Sequence, residues 1–136
     1  EKERPNPRVR ELFLSMPEYI NHSKTSVVLN AWDKKGNLSA FYIVELAAER
    51  FAAYVVGCYS KKNYVPHASD LLFFEMLNLA REYGKSSINL GLGVNKGIRR
   101  FKEKWGGLPF LRYEFCEYRG RYPTALKLLK ALEPKL

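Results

Sequence analysis

The spacing of apolar positions changes along this chain, and each change marks a predicted element. Residues 1–7 are polar with two prolines and read as an arm. Val9, Leu12, Phe13 and Met16 then recur at helical spacing, and Pro17 is expected to end or kink that helix. Asn21 to Lys24 reads as a linker. From Ser26 the pattern turns β-branched and aromatic. Ser26–Trp32, Leu38–Leu46 and Phe51–Tyr59 are predicted strands. Hairpin-turn chemistry at Asp33–Asn37 and a tight turn at Ala48–Arg50 join them, which predicts an antiparallel meander.

After Tyr59 the period lengthens again. Lys61–Ala68 is a predicted loop, and Ser69 or Asp70 is the expected cap of the next helix. Leu72, Phe73, Met76, Leu79, Ala80 and Tyr83 form one face of that helix. Leu71, Phe74 and Leu77 are expected to widen it, and Gly84 to end it. Ile88–Leu92 is a predicted strand, parallel to the third because a helix crosses between them. Asn95–Trp105 predicts a short basic helix, Arg112–Arg119 a strand, and Thr124–Leu132 a last helix with Ala125, Leu128, Leu129 and Leu132 on one face. No repeat divides the chain. The expectation is one α+β domain over residues 1–136: a mixed, mainly antiparallel sheet flanked by helices.

Composition narrows the classes. Apolar residues make up 46% of 136 positions, enough for a folded core and too many for a disordered chain. Charged residues interrupt every apolar run before membrane-spanning length, so no transmembrane helix is expected. The chain begins at Glu1 without a methionine, which fits an excised or processed piece. Lysine and arginine number 23 against 14 acidic residues, a net charge of +9 that favours a polyanionic partner or simply a solvated surface. Cys58 and Cys116 lie in strand-like surroundings without a CxxC partner, so buried reduced thiols in a cytoplasmic protein are expected. His22 and His67 belong to no cluster with metal spacing, and no metal is expected.

The candidate chemistry lies in the second half. The helix start after the third strand offers unpaired N–H groups to a pyrophosphate, with Lys61 and Lys62 beside it; Asp70 in the first turn opposes that reading. At about 100° per residue Ile98, Phe101 and Trp105 share a stripe of the basic helix, and Lys102 flanks it. A half-buried ammonium there would stabilise charge developing on an acyl oxygen; by its residue type alone, a packed stem with the charge snorkelling to solvent is favoured. Gly91-Leu92-Gly93 permits close approach of a backbone or ligand, but lacks a Rossmann context. Tyrosines at 42, 54, 59, 64, 113 and 118 are packing residues for the most part, with one of them available as a general acid. The sequence offers no Ser-His-Asp, Cys-His or paired-carboxylate arrangement.

The element order of one helix, three antiparallel strands, helix, strand, helix and strand resembles the GNAT superfamily of N-acyltransferases without its first strand and helix. A second likeness is carried by Leu71-Leu72, Gly84, Gly91 and the run Gly97-Ile98-Arg99-Arg100-Phe101-Lys102-Glu103-Lys104-Trp105-Gly106, which resembles the Fem-type aminoacyltransferases over roughly residues 50–115. The GNAT resemblance implies an acyl-CoA donor, acetyl-CoA among them, held where the strands around Val55–Tyr59 and Ile88–Leu92 splay apart. It implies pantetheine contacts from Val56, Gly57 and Cys58, a pyrophosphate facing Lys61, Lys62 and Ser69, a donor-side role for Asn95, and an amine as acceptor. The Fem-type resemblance implies that Lys102 stabilises the transition state with Phe101 packed beside it; Tyr59 is the candidate general acid. Aminoacyl-tRNA is the alternative donor, and a non-catalytic half that forms a homodimer or pairs with another domain is the alternative role.

Overall fold

The computed structural model describes residues 7–91 and 95–109. Its elements in chain order are α1 (Pro7–His22), β1 (Ser26–Trp32), β2 (Leu38–Glu45), β3 (Phe51–Tyr59), α2 (Ala68–Glu82), β4 (Ser87–Asn89) and α3 (Lys96–Lys104). The predicted strand at Arg112–Arg119, the last helix, Cys116, and Leu92 and Gly93 lie outside the described residues.

The described strands form one sheet in the order β1-β2-β3-β4. β1, β2 and β3 pair antiparallel, and β3 pairs parallel with β4 as the crossover helix requires. The sheet is covered on both faces. On one, Tyr42, Val44 and Ala52 pack with Leu72, Phe73, Met76 and Ala80 of α2. On the other, Ile43 and Val56 pack with Met16 of α1, flanked by Phe13, Tyr19 and Ile20. Alternation along β2 therefore feeds two cores, which explains its nearly continuous burial.

Pro17 does not end α1; it lies inside a helix of 16 residues. Apolar residues on either side of it, Phe13 and Met16 before and Tyr19 and Ile20 after, join the same cluster on the sheet. Their burial outweighs the lost backbone hydrogen bond. Glu45 ties the end of α1 to the β2–β3 turn. Its carboxylate accepts from Tyr19 Oη, from Ser23 Oγ at 3.1 Å, and from the Leu46 and Ala47 N–H groups at 2.9 Å each.

α2 departs from expectation at its start and on its surface. The residue preceding the helix is His67, with left-handed φ of 64°, and neither Ser69 nor Asp70 caps it. Leu71, Phe74 and Leu77 do not widen the buried face: they are exposed, pointing away from the sheet that covers Leu72, Phe73 and Met76. The other end is as predicted. Gly84 N–H reaches Arg81 O at 3.0 Å and Lys85 N–H reaches Ala80 O at 2.8 Å, the bond pair of a Schellman motif after Tyr83. Lys85 Nζ then donates to Leu46 O and Ala48 O, fastening α2 to the β2–β3 turn.

Cys58 is free and exposed rather than buried: it lies on the length of β3 that β4 does not flank. Among the described residues no helix is long and apolar enough to cross a membrane.

Candidate active site

Two irregularities, one in β3 and one in β4, build the site. The first is in the pairing of β3 with β2: Val44 faces Tyr54 while Ile43 faces Val56, so Val55 is an extra residue in β3. A bulge of this kind bends its strand and re-aims the side chains beyond it. Tyr54 and Gly57 are thereby brought to one face, with Tyr42 opposite Gly57. The Tyr42 and Tyr54 rings meet edge to face at 5.0 Å. Both crowd the Gly57 α-carbon: a Cβ there would lie 2.4 Å from Tyr54 Oη and 2.5 Å from Tyr42 Cδ1. The close approach permitted by Gly57 is thus used by the chain's own tyrosines.

The second irregularity is the brevity of β4. The parallel ladder is Phe51↔Ser87, Ala52↔Ile88 and Ala53↔Asn89, and it stops there. The predicted strand over Ile88–Leu92 is therefore cut short: Gly91 takes φ of 64°, and its N–H is held by the Asn89 side chain at 2.9 Å. β3 continues to Tyr59 without β4 beside it. The result is an opening between two parallel strands, with its vertex just beyond Ala53 and Asn89.

Lys102 fills that vertex. Its Nζ donates to the carbonyl of Leu90, the first residue past β4, and lies 5.6 Å from the ring centre of Tyr54, the first residue past the last β3 pair. The side chain is half-buried, and burial lowers the ammonium's pKa from its ordinary value. Burial first, and the adjacent Cys58 second, push the Tyr54 phenol up to about 12. Tyr42 is also raised, by burial and then by Tyr54; its Oη donates to Ser69 O at 3.1 Å. Tyr54 therefore stays protonated across ordinary pH, as a donor beside a cation.

α3 carries Lys102, and it is held by side chains. It contains no fully buried residue. Asn95 begins it, its Oδ1 accepting from Ile98 N–H at 2.9 Å. Gly106 and Gly107 end it, with Gly107 N–H on Lys102 O at 2.9 Å; a Cβ on Gly107 would stand 2.8 Å from that same oxygen. Phe73 of α2 stacks on Trp105 at 5.1 Å and meets Phe101 edge to face at 5.5 Å. Asp70 completes the attachment: its Oδ1 accepts from Lys104 Nζ at 2.6 Å and from Trp105 Nε1 at 3.1 Å, and its Oδ2 lies 3.2 Å from His67 Nδ1. Chiefly through Lys104, these partners hold the Asp70 carboxyl below its usual range.

The sequence-predicted residues fall into groups. Lys102 and Phe101 stand at the vertex and beside it. Val56, Gly57 and Cys58 lie on the length of β3 that pairs with β2 but not with β4, Val56 with its side chain buried toward α1. Lys61 and Lys62 are exposed in the turn after β3, and Ser69 sits in the first turn of α2. Asn95 is occupied as a helix cap. Tyr59 is 52% exposed, edge to face with Tyr64 at the far end of β3. It is about 16 Å along the strand from Tyr54, so the structure brings Tyr54, not Tyr59, to Lys102. Asp70's role as an anchor carries no local signal, since its partners are 34 and 35 residues away. Among the described residues no group of three metal-ligating side chains occurs.

No protein-family model matches the sequence, and no curated protein matches it. Solved structures match in shape. An aminoglycoside N-acetyltransferase AAC(6')-Iy in complex with CoA superposes with a TM-score of 0.64 at 11% identity, covering 83% of this chain and 90% of that one. The aminoglycoside 6'-N-acetyltransferase AAC(6')-IG from Acinetobacter haemolyticus gives 0.57 at 9% identity, covering 89% and 86%. A ribosomal-protein-alanine N-acetyltransferase from Brucella melitensis biovar Abortus gives 0.54 at 17% identity, covering 79% and 77%. The chain has the fold of the GNAT acetyltransferases.

Proposed function

We propose that the chain is an N-acyltransferase that moves an acyl group from acyl-CoA to an amine. The observation that carries this reading is the coincidence of the strand opening with a half-buried ammonium at its vertex. Peptide groups of Val56, Gly57 and Cys58 suit an extended pantetheine amide arm, which wants backbone donors and acceptors along an open strand. Lys61, Lys62 and the first turn of α2 at Ser69 suit a pyrophosphate. Asp70 weighs little against that, because Lys104 and Trp105 engage its carboxylate. Asn95 contributes by capping α3.

The reaction forms an N–C bond and breaks a C–S bond. The amine loses a proton and the departing thiolate gains one. Lys102 would stabilise charge on the acyl oxygen, and Tyr54 would serve as proton donor in place of the more distant Tyr59. Positioning and electrostatics carry the rate, with no covalent intermediate on the protein.

One observation favours a second donor. Phe101 packs on Phe73 while Lys102 reaches the vertex, a pairing that would suit an aminoacyl donor of the Fem type. An aminoacyl ester carried on tRNA would meet the same ammonium, and steeply salt-dependent tRNA binding would mark that route.

The deciding experiment is thermal unfolding with acetyl-CoA and with coenzyme A. A ligand at about 100 times its Kd stabilises by ~2.7 kcal/mol, a rise of several degrees in Tm. No rise at millimolar concentration of either ligand would remove the acyl-CoA reading.

A further inference from the structure

We propose that Asp70 is a positioning residue that sets the place of Lys102. The inference rests on the acyltransferase reading for its catalytic part and on geometry alone for its mechanical part. α3 has no fully buried residue; among the described residues it is held by the packing of Phe101 and Trp105 against the core and by a few directed contacts. At one end of the contact set Lys102 reaches Leu90 O. At the other, Lys104 and Trp105 converge on a single oxygen of Asp70, while Phe73 of the next turn supports the Trp105 ring. Lys102 makes the first of these anchors and lies within one turn of the second, so its place over Tyr54 shifts when the Asp70 end swings away. The aromatic contacts limit sliding along α2, but a ring stack is tolerant of rotation. The bond from the Trp105 indole N–H to Asp70 supplies the direction.

Asp70 also lies in the first turn of α2, the turn assigned to donor phosphates. One carboxylate therefore links the two halves of the site. This linkage has a signature that separates it from a general loss of fold. Removing a negative charge from a helix N-terminus favours an anion there, so donor binding should hold or tighten while turnover falls.

The test compares Asp70→Ala with Asp70→Asn, which keeps an oxygen for Trp105 and Lys104. Trace acetic anhydride labels the wild type and both variants, and mass spectrometry reads the modification of Lys102 against Lys96 on the same helix. Asp70→Ala should raise the Lys102 to Lys96 labelling ratio at least about threefold, because the half-buried ammonium becomes exposed, and Asp70→Asn should restore most of the protection. With acetyl-CoA and an accepted amine, Asp70→Ala should lower kcat ~10- to 100-fold, the range expected for a displacement of about 1 Å, without raising the KM for acetyl-CoA. Lys104→Gln with Trp105→Phe, which leaves α2 untouched, should reproduce the labelling change and the fall in kcat should Asp70→Ala fail to fold, with a higher KM for acetyl-CoA because the Asp70 carboxylate loses its partners. An unchanged labelling ratio in a folded variant overturns the proposal, as does a rise in KM with kcat preserved. If the wild type transfers no acyl group, the acyltransferase reading fails while the labelling ratio still decides the coupling.

Discussion

At neutral pH the Lys102 ammonium has given up part of its hydration in exchange for the Leu90 carbonyl and the face of the Tyr54 ring. Burial lowers its pKa, so the charged form is disfavoured in the folded chain. With the folded-state pKa below the unfolded-state one, this group weakens the fold while charged. Stability rises as pH climbs through the folded pKa toward the ordinary 10.5. Function and stability therefore pull on this residue in opposite directions. Lys102→Met keeps the packed stem and removes the charge. It should leave Tm at pH 7 unchanged or higher, while acyl transfer falls ~10²- to 10³-fold, the range for losing one electrostatic contact to a developing oxyanion. Calorimetry and steady-state kinetics on the same sample check both halves. A fall in Tm with full activity would assign Lys102 to the fold instead.

Elements are legible in the sequence where local pattern and packing agree. β1, β2, β3 and most of α2 follow from period and turn chemistry, because most of their apolar positions are the ones that the two clusters bury. Legibility fails where a tertiary contact overrides a local rule. Pro17 obeys the local rule for a helix end, yet the sheet holds residues on both sides of it. Asp70 has the composition of a cap, yet its carboxylate is drawn to α3. Leu71, Phe74 and Leu77 have the composition of a core face and lie outside it. Glu45 shows how much one such contact governs. Burial raises its pKa, but hydrogen bonds from Thr25, Tyr19, the Ala47 N–H and Ser23 outweigh this and bring it down to about 2. A depressed carboxyl contributes stability above its ordinary pKa of 4.5, and that stability is lost as pH falls toward 2. Because Glu45 ties α1 to the sheet, α1 should loosen first in acid. Tyr19 in α1 reports this through its ring NMR signals. They should shift between pH 4.5 and 2 in the wild type, and Glu45→Gln should already show the loosened state at pH 7.

Across the whole molecule, the sheet's order and the crossover helix determine which strand is parallel, and period alone predicts both. The opening cannot be predicted that way. It depends on where β4 stops and on an extra residue in β3, and Ile88–Leu92 reads as strand to its end. Amide hydrogen exchange tests the opening as the donor site. Among the described residues β3 beyond Ala53 has no strand on its β4 side, so the N–H groups pointing that way lack the protection of a ladder. A donor laid along that edge should slow exchange in residues 54–59 and in the first turn of α2, where the pantetheine arm and phosphates are assigned. The β1–β2 hairpin has its partners already and should be unchanged. A ligand that merely stabilised the whole fold would instead slow the most protected amides everywhere by a common factor. Protection confined to the β1 edge on raising protein concentration, with none at residues 54–59 on adding acetyl-CoA, would identify an association module rather than an acyltransferase.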